Sequence, residues 1–323
     1  MTLHSTMDSA EAGRLTSDTP ELTRAPAVLH RPARPAAAAA QLALYYELTK
    51  PRMNFLVVVT TAVGLYMAGG LGQSPWLILA TILGTALTAA GASVMNQYVE
   101  RDLDGLMPRT ARRPLPARQL PPAAALAFGV VLSVAGVAVL AGLVNLLTAG
   151  LGLLTLLLYV FVYTPAKRRT WWCTPIGAIP GAIPPVMGFT AAQNALSFEA
   201  AALFAILFFW QMPHFYGLAV MFRDDYAAGG YRMLPVVDAG GKRTGRQAVG
   251  FTLLLIAASL WPFALGMAGW LYLASAVVLG GYFLFYAVGL AREPSRPAAR
   301  RLFFASLVYL PLLLAFMMLG RGM

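Results

Sequence analysis

The sequence predicts an all-α integral membrane protein with about nine transmembrane helices. Of its 323 residues, 59% are hydrophobic and 11% are charged, whereas soluble domains contain about 25% charged residues. The apolar residues form runs close to the roughly 20 residues that a helix needs to cross a bilayer. Alternating ten-residue segments, which membrane β-barrels require, are absent from the sequence.

The N-terminal region differs from the rest of the chain. Residues 1–40 are rich in Ala, Pro, Ser and Thr and lack an apolar period, which predicts a disordered tail. Residues 41–323 form the predicted polytopic transmembrane domain. Its first segment, residues 42–52 (LALYYELTKPR), predicts a short interfacial helix that ends with Lys50 and Arg52 at the mouth of the first span.

Nine apolar runs define the candidate transmembrane helices. They cover residues 53–70, 76–98, 122–141, 145–163, 175–191, 199–220, 247–266, 268–290 and 301–319. The fifth run contains Pro180, Pro184 and Pro185, which are expected to kink or break its helix beside a central cavity.

The basic residues indicate the orientation in the membrane. Of the 24 Lys and Arg residues, all except Arg321 fall in the N-terminal region or in the connections after spans two, four, six and eight. The positive-inside rule therefore predicts a cytoplasmic N-terminus and an outer C-terminus. The net charge of +11 follows this topology, so no nucleic-acid partner is expected. The single cysteine, Cys173, excludes an internal disulfide.

A cluster of polar residues ends the second apolar run, in residues 96–118 (NQYVERDLDGLMPRTARRPLPAR). On a helix, Asn96, Glu100 and Asp104 would form one stripe about 12 Å long. Ionised carboxylates are costly against lipid, so this stripe is predicted to face a cavity, water or a cation. Asp102 points away from it and is predicted either to pair with an arginine or to support the site without binding the ligand.

A second acidic cluster, Asp224 and Asp225, follows the sixth span. If the helices close into a bundle, the two clusters would meet on the cytoplasmic side. Oxygen ligands without clustered His or Cys favour Mg²⁺. The alternative interpretation is a set of interfacial charges that pair with the adjacent Arg101 and Arg223.

Several basic residues lie on the same predicted side as the carboxylates. Carboxylates that hold a metal ion, surrounded by Lys and Arg, would form a receptacle for a diphosphate. The candidates for binding such a substrate are Lys50, Arg52, Arg112, Arg113, Lys167 and Arg168. The other basic residues are interpreted as topology signals.

The segment NQYVERDLDGLMPRTARRPLP resembles the first aspartate-rich motif of the UbiA-type intramembrane prenyltransferases. In that family an Asn and two acidic residues four apart bind Mg²⁺ and an isoprenoid diphosphate. The resemblance covers nearly the whole chain after residue 40 and includes a second motif, FRDDYAAGGYRMLP. It implies metal ligation by Asn96, Glu100, Asp104 and Asp225, with Asp224 as a further catalytic residue. The family's second motif has two Asp four apart, and here Met221 occupies the position four before Asp225.

Further motifs resemble the haem-modifying branch of this family. They are LTKPR, YTPAKRRT, PIGAIPGAIPPVMG, WQMPHFYGLA and DDYAAGGYRMLPVV. The resemblance implies Mg²⁺-assisted transfer of a farnesyl group from farnesyl diphosphate to the 2-vinyl group of protohaem IX. It also implies a bacterial inner-membrane location, with a haem A synthase as a candidate partner.

His214 is the one histidine in the apolar body of the chain. Considered alone, it is typical of a hydrogen-bonded core residue. The resemblance favours a contact with the porphyrin, its iron or the reacting vinyl group. The aromatic residues Tyr159, Tyr163, Trp210 and Phe215 could line an isoprenoid channel, although aromatic residues in spans usually serve packing.

Two other functions compete with this hypothesis. The first is the same chemistry on an aromatic acid or quinone precursor. The second is an ion-coupled transporter, whose intramembrane carboxylates would lie near the bilayer midplane. Here both acidic clusters fall at the predicted cytoplasmic end, which favours the prenyltransferase.

Overall fold

The computed structural model describes residues 38–69 and 72–321. Most of the predicted disordered tail, residues 1–37, lies outside the described residues. The predicted interfacial helix is present and begins slightly earlier than expected. It spans Ala38–Leu48 (α1), and the first transmembrane helix starts after a two-residue turn.

The described residues form a helical bundle. The remaining helices are Pro51–Gly69 (α2), Pro75–Asp104 (α3), Pro122–Leu143 (α4), Leu146–Leu157 (α5), Thr164–Arg169 (α6), Cys173–Gln193 (α7), Phe198–Met221 (α8), Arg223–Ala228 (α9), Leu234–Val237 (α10), Lys242–Ala264 (α11), Trp270–Arg292 (α12) and Arg296–Leu319 (α13). A π-helical segment, Leu158–Tyr163, joins α5 to α6.

Among these described helices, eight are long and apolar enough to cross a membrane, with α5, the π segment and α6 acting as one continuous span. The 21-residue α7 is the ninth long helix but is not one of these eight. The chain is thus an integral membrane protein, and the predicted number of nine spans is approximate. Large apolar side chains such as Trp76, Leu146 and Trp270 are more than 70% exposed, as expected for a lipid-facing surface.

Of the kink or break predicted for α7, the break does not occur. Pro180, Pro184 and Pro185 all lie inside one uninterrupted helix. This helix packs very closely against α2, because a Cβ atom at Gly188 would overlap the carbonyl of Thr61. Small residues at helix interfaces allow backbones to approach in this way, and the tight packing encloses the proline-containing turns.

Several helices extend beyond their predicted limits, and the extensions of α3 and α13 affect the polar end of the bundle. Helix α3 continues to Asp104, six residues past the predicted span. Helix α13 begins at Arg296, five residues before the predicted one, because Ser295 caps it by accepting from the backbone N–H of Ala298. Arg296, Arg300 and Arg301 therefore lie on the first turns of α13, whereas Arg292 ends α12.

Candidate active site

The polar stripe of α3 is buried within the bundle. Asn96, Glu100 and Asp104 lie on one helical face and are only 1%, 4% and 1% exposed. The four-residue spacing therefore produces the predicted stripe, and α3 persists through all three positions. Burial of two carboxylates requires opposite charges or hydrogen-bond donors nearby.

Each member of the stripe contacts one cationic side chain. Lys50 Nζ donates to Asn96 Oδ1 at 2.8 Å. Lys167 Nζ lies 2.8 and 3.0 Å from the two oxygens of Glu100. The third pair joins Arg113 Nη1 to Asp104 Oδ2 at 2.7 Å. The three cations come from three separate segments of the chain, so the bundle itself assembles the cluster.

An unusual backbone conformation directs Lys50 towards this cluster. Its φ of 49° lies in the left-handed region, which costs a non-glycine residue roughly 1–2 kcal/mol. Asn54 Nδ2 donates to the Thr49 carbonyl at 2.6 Å, and Gln97 Nε2 donates to the Leu48 carbonyl at 2.7 Å. The first bond closes the turn between α1 and α2, and the second holds that turn against α3.

The π segment positions the second lysine. Thr164 Oγ1 donates to the Tyr159 carbonyl across the π turn at 2.8 Å and accepts from Asn96 Nδ2 at 3.0 Å. Lys167 follows on α6, with Nζ 4.7 Å from the centroid of the Tyr163 ring. Isolated π turns often occur at functional sites. The sequence analysis did not identify Thr164, although it lies in the YTPAKRRT motif before a proline that disfavours regular helix.

The loop after α3 supplies the third cation and approaches the second acidic motif. Thr110 Oγ1 donates to the Asp104 carbonyl at 2.8 Å, which stabilises the turn that leads to Arg113. The guanidinium of Arg109 lies 5.0 Å from the Phe222 ring and 5.7 Å from the Tyr226 ring. These cation–π contacts join the two motif-bearing segments.

The cluster carries a surplus of positive charge. Three cations, Lys50, Arg113 and Lys167, face two carboxylates, Glu100 and Asp104, which leaves one positive charge in excess. Burial, followed by the charge of Arg113, lowers the pKa of Lys50 from 10.5 to about 7, so the excess reaches a full positive charge only as Lys50 becomes protonated below about pH 7. Such an environment favours an anionic ligand, since added negative charge would offset the repulsion among the cations.

The second acidic cluster is not gathered with the first. Asp224 Oδ2 accepts from Arg296 Nη2 at 2.7 Å, and its side chain is 82% exposed. Asp225 is partly buried. The described residues contain no group of three or more His, Cys, Asp or Glu that could hold a metal ion. The reason is local, because α8 ends at Met221 and the short α9 directs Asp224 outwards.

Half of the predicted substrate-binding cations lie outside the cluster. Arg52, Arg112 and Arg168 are exposed, and no ion pair involves them within the described part of the chain. Asp102 is 86% exposed and lies 3.8 Å from Arg101 Nε. The prediction that Asp102 points away and pairs with an arginine is thus confirmed.

His214 lies on a different interface from the cluster, between α8 and α13. Its ring stacks on Trp210 at 4.8 Å and contacts Phe303 at 4.8 Å. Its Nδ1 atom is 2.7 Å from Ser306 Oγ, which in turn donates to the Phe303 carbonyl. With the hydroxyl proton placed on this carbonyl, Nδ1–H is the donor to Ser306, and the lone pair of the ring is on Nε2.

The other aromatic candidates lie either at the polar cluster of α3 or at the interface between α8 and α13. Tyr159 and Tyr163 pack together beside Lys167, whereas Trp210 donates from Nε1 to the Ser306 carbonyl at 2.9 Å. Tyr231 is an additional aromatic residue at the cluster. It is 3% exposed, and its hydroxyl has no hydrogen-bond partner among the residues that the structure describes.

Two cavities lie away from the cluster. One, of about 670 Å³, is lined by residues of α8, α12 and α13, and the other, of about 510 Å³, lies at the opposite ends of α2 and α11. Neither is lined by Asn96, Glu100 or Asp104, whose polar atoms contact Lys50, Lys167 and Arg113 instead.

Comparison with known proteins identifies the family. Residues 57–308 match the UbiA prenyltransferase family. The chain belongs to this family. A UbiA-family relative from Solibacter usitatus (strain Ellin6076), named protoheme IX farnesyltransferase, is 50% identical over 288 residues, covering 86% of this chain and 98% of the relative. A protein of the same name from Koribacter versatilis (strain Ellin345) is 42% identical over 287 residues, covering 86% and 93% of the two chains.

Solved structures of the UbiA family share the fold. A digeranylgeranylglyceryl phosphate synthase superposes with a TM-score of 0.72 at 17% identity, covering 87% of this chain and 98% of that chain. A UbiA homologue from Archaeoglobus fulgidus, bound to GPP and Mg²⁺, superposes with a TM-score of 0.62 at 16% identity. The match covers 85% of this chain and 99% of that homologue. The chain is therefore a prenyltransferase with the UbiA fold.

Proposed function

We propose that this chain transfers a farnesyl group from farnesyl diphosphate to the 2-vinyl group of protohaem IX. The observation that carries the proposal is the buried stripe of Asn96, Glu100 and Asp104, faced by three cations, in a UbiA-family chain. The names of its relatives, at up to 50% identity over most of the chain, support farnesyl diphosphate and protohaem as the substrates.

The stripe fits a magnesium ion by its chemistry. Amide and carboxylate oxygens are hard ligands, and Mg²⁺ binds through one or two carboxylates together with substrate phosphates and water. Asn96, Glu100 and Asp104 would hold the ion, with Asp225 as the donor from the second motif. When bound, the ion would offset the charge that develops on the departing diphosphate. The Mg²⁺ bound by the homologue from Archaeoglobus fulgidus supports this assignment.

The three cations would serve the diphosphate. Lys50, Arg113 and Lys167 hold the polar stripe through bonds of 2.7 to 2.8 Å. When the diphosphate enters, these side chains exchange their partners and donate to its oxygens, where they stabilise the leaving group. Arg52, Arg112 and Arg168 lie further out and would attract the anionic substrate rather than touch the reacting atoms. Asp224 forms an exposed pair with Arg296, so its role would also be indirect.

The reaction balances without a covalent intermediate on the protein. The bond between C1 of the farnesyl group and the diphosphate oxygen breaks, and the electron pair leaves with the diphosphate. The vinyl group supplies the electrons for the new carbon–carbon bond, water adds a hydroxyl to the resulting cation, and one proton is released. His214, with Nε2 available, is the proposed contact to the porphyrin or its iron.

The proposed orientation follows the distribution of basic residues. The N-terminus and the ends of α3, α6 and α8 would face the cytoplasm of a bacterial inner membrane, and the C-terminus would lie outside. Farnesyl diphosphate would then approach from the cytoplasm, and its apolar tail would enter the bundle at the membrane interface.

An acceptor assay tests this function. Purified protein in detergent is given farnesyl diphosphate and Mg²⁺ with either protohaem or a hydroxybenzoate, and the products are identified by mass spectrometry. We expect farnesylated haem with release of diphosphate. Prenylated hydroxybenzoate alone would indicate an aromatic acceptor. The absence of diphosphate release with both acceptors would favour the transporter hypothesis.

A further inference from the structure

A basic groove lies on the outer surface of the bundle, between the ends of α8, α12 and α13. It has a volume of about 670 Å³ and combines three arginines with aromatic side chains. The lining residues that define it are Arg296, Arg300, Arg301, Tyr282, Tyr286 and Phe304. We refer to this surface as the arginine groove.

The arginine groove has unbalanced positive charge. Arg296 donates to Asp224 at 2.7 Å, whereas Arg300 and Arg301 form no ion pair within the described residues. All three side chains project from the first two turns of α13 and are exposed. This end of the groove therefore offers at least two guanidinium groups to an anion.

The other end of the arginine groove is apolar and exposed. Phe304 and Val308 are 50% and 42% exposed and continue along α13 from Arg300. From Arg300 to Val308 the helix rises about 12 Å, which takes the groove from the membrane interface towards the hydrocarbon. Tyr282 and Tyr286 form the opposite wall, 5.1 Å apart, as is typical of side chains at the lipid head-group level.

We propose that the arginine groove binds an anionic phospholipid, with its phosphate on Arg300 and Arg301 and an acyl chain along Phe304 and Val308. Basic pockets between transmembrane helices bind anionic head groups in this way. The second cavity offers a contrast, because it contains Glu199 as well as Arg321 and thus has no surplus charge. It is therefore not expected to select an anionic lipid.

Native mass spectrometry of the detergent-purified protein tests this site. Phosphatidylglycerol and phosphatidylcholine with the same acyl chains are titrated against the wild type, Arg300→Gln/Arg301→Gln and the matched control Arg321→Gln. We expect the wild type and the control to retain phosphatidylglycerol at least tenfold more tightly than phosphatidylcholine. The double variant, which changes only exposed side chains, should lose that preference.

Three results would overturn the lipid assignment. Equal retention of both lipids by the wild type would mean that the groove does not select charge. An unchanged preference in the double variant would place the lipid elsewhere. Displacement of phosphatidylglycerol by protohaem or by inorganic diphosphate at equal concentration would mean that the groove serves a substrate instead.

A separate observation concerns Tyr231, which lies in the loop between α9 and α10. Its hydroxyl is buried without a hydrogen-bond partner in the described structure, although buried polar groups are normally paired. Its ring centroid is 5.6 Å from Lys167 Nζ. The Arg232 N–H donates to the Lys167 carbonyl at 2.7 Å, which fixes this loop beside the cluster.

We infer that the Tyr231 hydroxyl donates a hydrogen bond to the diphosphate of the bound substrate, an inference that rests on the proposed function. Burial and the nearby Glu100 carboxylate raise the pKa of Tyr231, but this carboxylate does not meet hydrogen-bond geometry with the hydroxyl. A bound diphosphate at Lys167 would supply the acceptor that the hydroxyl lacks. Tyr231 would then be a substrate-binding residue that belongs to neither of the two acidic clusters.

Tyr231→Phe removes only this hydroxyl and keeps the packed ring. We expect the KM for farnesyl diphosphate to rise about tenfold, because a hydrogen bond to a charged group is lost, while the KM for the acceptor is unchanged. Tyr226→Phe, whose ring contacts that of Tyr231 at 6.0 Å, is the matched control. An active wild type with an unchanged KM in Tyr231→Phe would refute this role, whereas an inactive wild type would refute the proposed function itself.

Discussion

The two acidic clusters of this protein are similar in composition and differ in environment. Glu100 and Asp104 are buried on α3, and each forms an ion pair of 2.7 to 2.8 Å. Asp224 also forms a 2.7 Å pair, but with Arg296 at an exposed position. The ion-pair distances are therefore equal, but the first cluster is buried and the second is exposed to solvent. Burial strengthens the electrostatic interactions at the first cluster.

This difference determines what each cluster can do. An exposed ion pair contributes about 0.2–1 kcal/mol to stability, so it forms and breaks easily. Removing one partner of a buried pair costs about 3–5 kcal/mol, because the other charge is left uncompensated. At the first cluster, an entering diphosphate and its metal can replace the present ion-pair partners of buried charges. At the second cluster, the exposed ion pair can form and break at little cost.

The largest expected effect is on turnover at the first cluster. Asp104→Asn keeps the shape of the side chain and removes its charge, so we expect at least a ~100-fold loss of diphosphate release. The exposed Asp102→Asn, two residues away, should stay within about twofold of the wild type. Similar losses in both variants would mean that burial does not distinguish these carboxylates.

Lys167→Met should lower both activity and stability. Glu100 would lose the one ion-pair partner that it has within the described residues, so we expect unfolding in mixed detergent micelles to become easier by about 3 kcal/mol. Arg168→Met is the matched control, since this neighbouring side chain is exposed and should change stability by less than about 0.5 kcal/mol. Equal destabilisation of the two variants would contradict the assigned burial.

The second cluster should show smaller and unequal effects. Asp225→Asn removes the proposed metal donor of that motif, and we expect a loss of about tenfold in kcat at low Mg²⁺ that is partly restored at high Mg²⁺. Asp224→Asn breaks only an exposed pair and should cost less than about threefold. The Mg²⁺ dependence of diphosphate release measures both. If Asp224→Asn were the more damaging change, the roles of the two residues would be reversed.

The smallest effect is expected at the α8–α13 interface. Ser306→Ala removes the hydroxyl that accepts from His214 Nδ1 and should cost about 1 kcal/mol of stability. His214→Ala should weaken protohaem binding and leave farnesyl diphosphate binding unchanged, as measured by haem absorbance titration. Unchanged protohaem affinity and turnover in His214→Ala would refute its proposed contact with the acceptor.

The α3 stripe was predictable from the sequence because helical periodicity is a local property. Four-residue spacing places Asn96, Glu100 and Asp104 on one face wherever the helix continues. The cost of exposing carboxylates to lipid then predicts that this face is buried. Neither argument requires knowledge of the neighbouring helices, and the structure confirms both.

The choice among neighbouring cations was not predictable in the same way. The sequence places two candidates at each of three positions, and in each pair one residue reaches the cluster and the other faces outwards. For Lys50 the choice depends on a left-handed turn, and for Lys167 it depends on the π segment. Both features arise from tertiary packing, which residue spacing does not encode. The ion pair of Asp224 likewise depends on the early start of α13, which brings Arg296 to it.

An experimental structure with Mg²⁺ and a non-hydrolysable thiodiphosphate analogue of farnesyl diphosphate tests the proposed exchange of partners most directly. The measured quantity is the distance between Lys167 Nζ and the Glu100 carboxylate, which is now 2.8 Å. We expect it to exceed about 4 Å, with Lys167, Arg113 and Lys50 on the diphosphate oxygens and the metal on the α3 stripe. An intact Lys167–Glu100 pair, with the diphosphate bound elsewhere, would contradict this account.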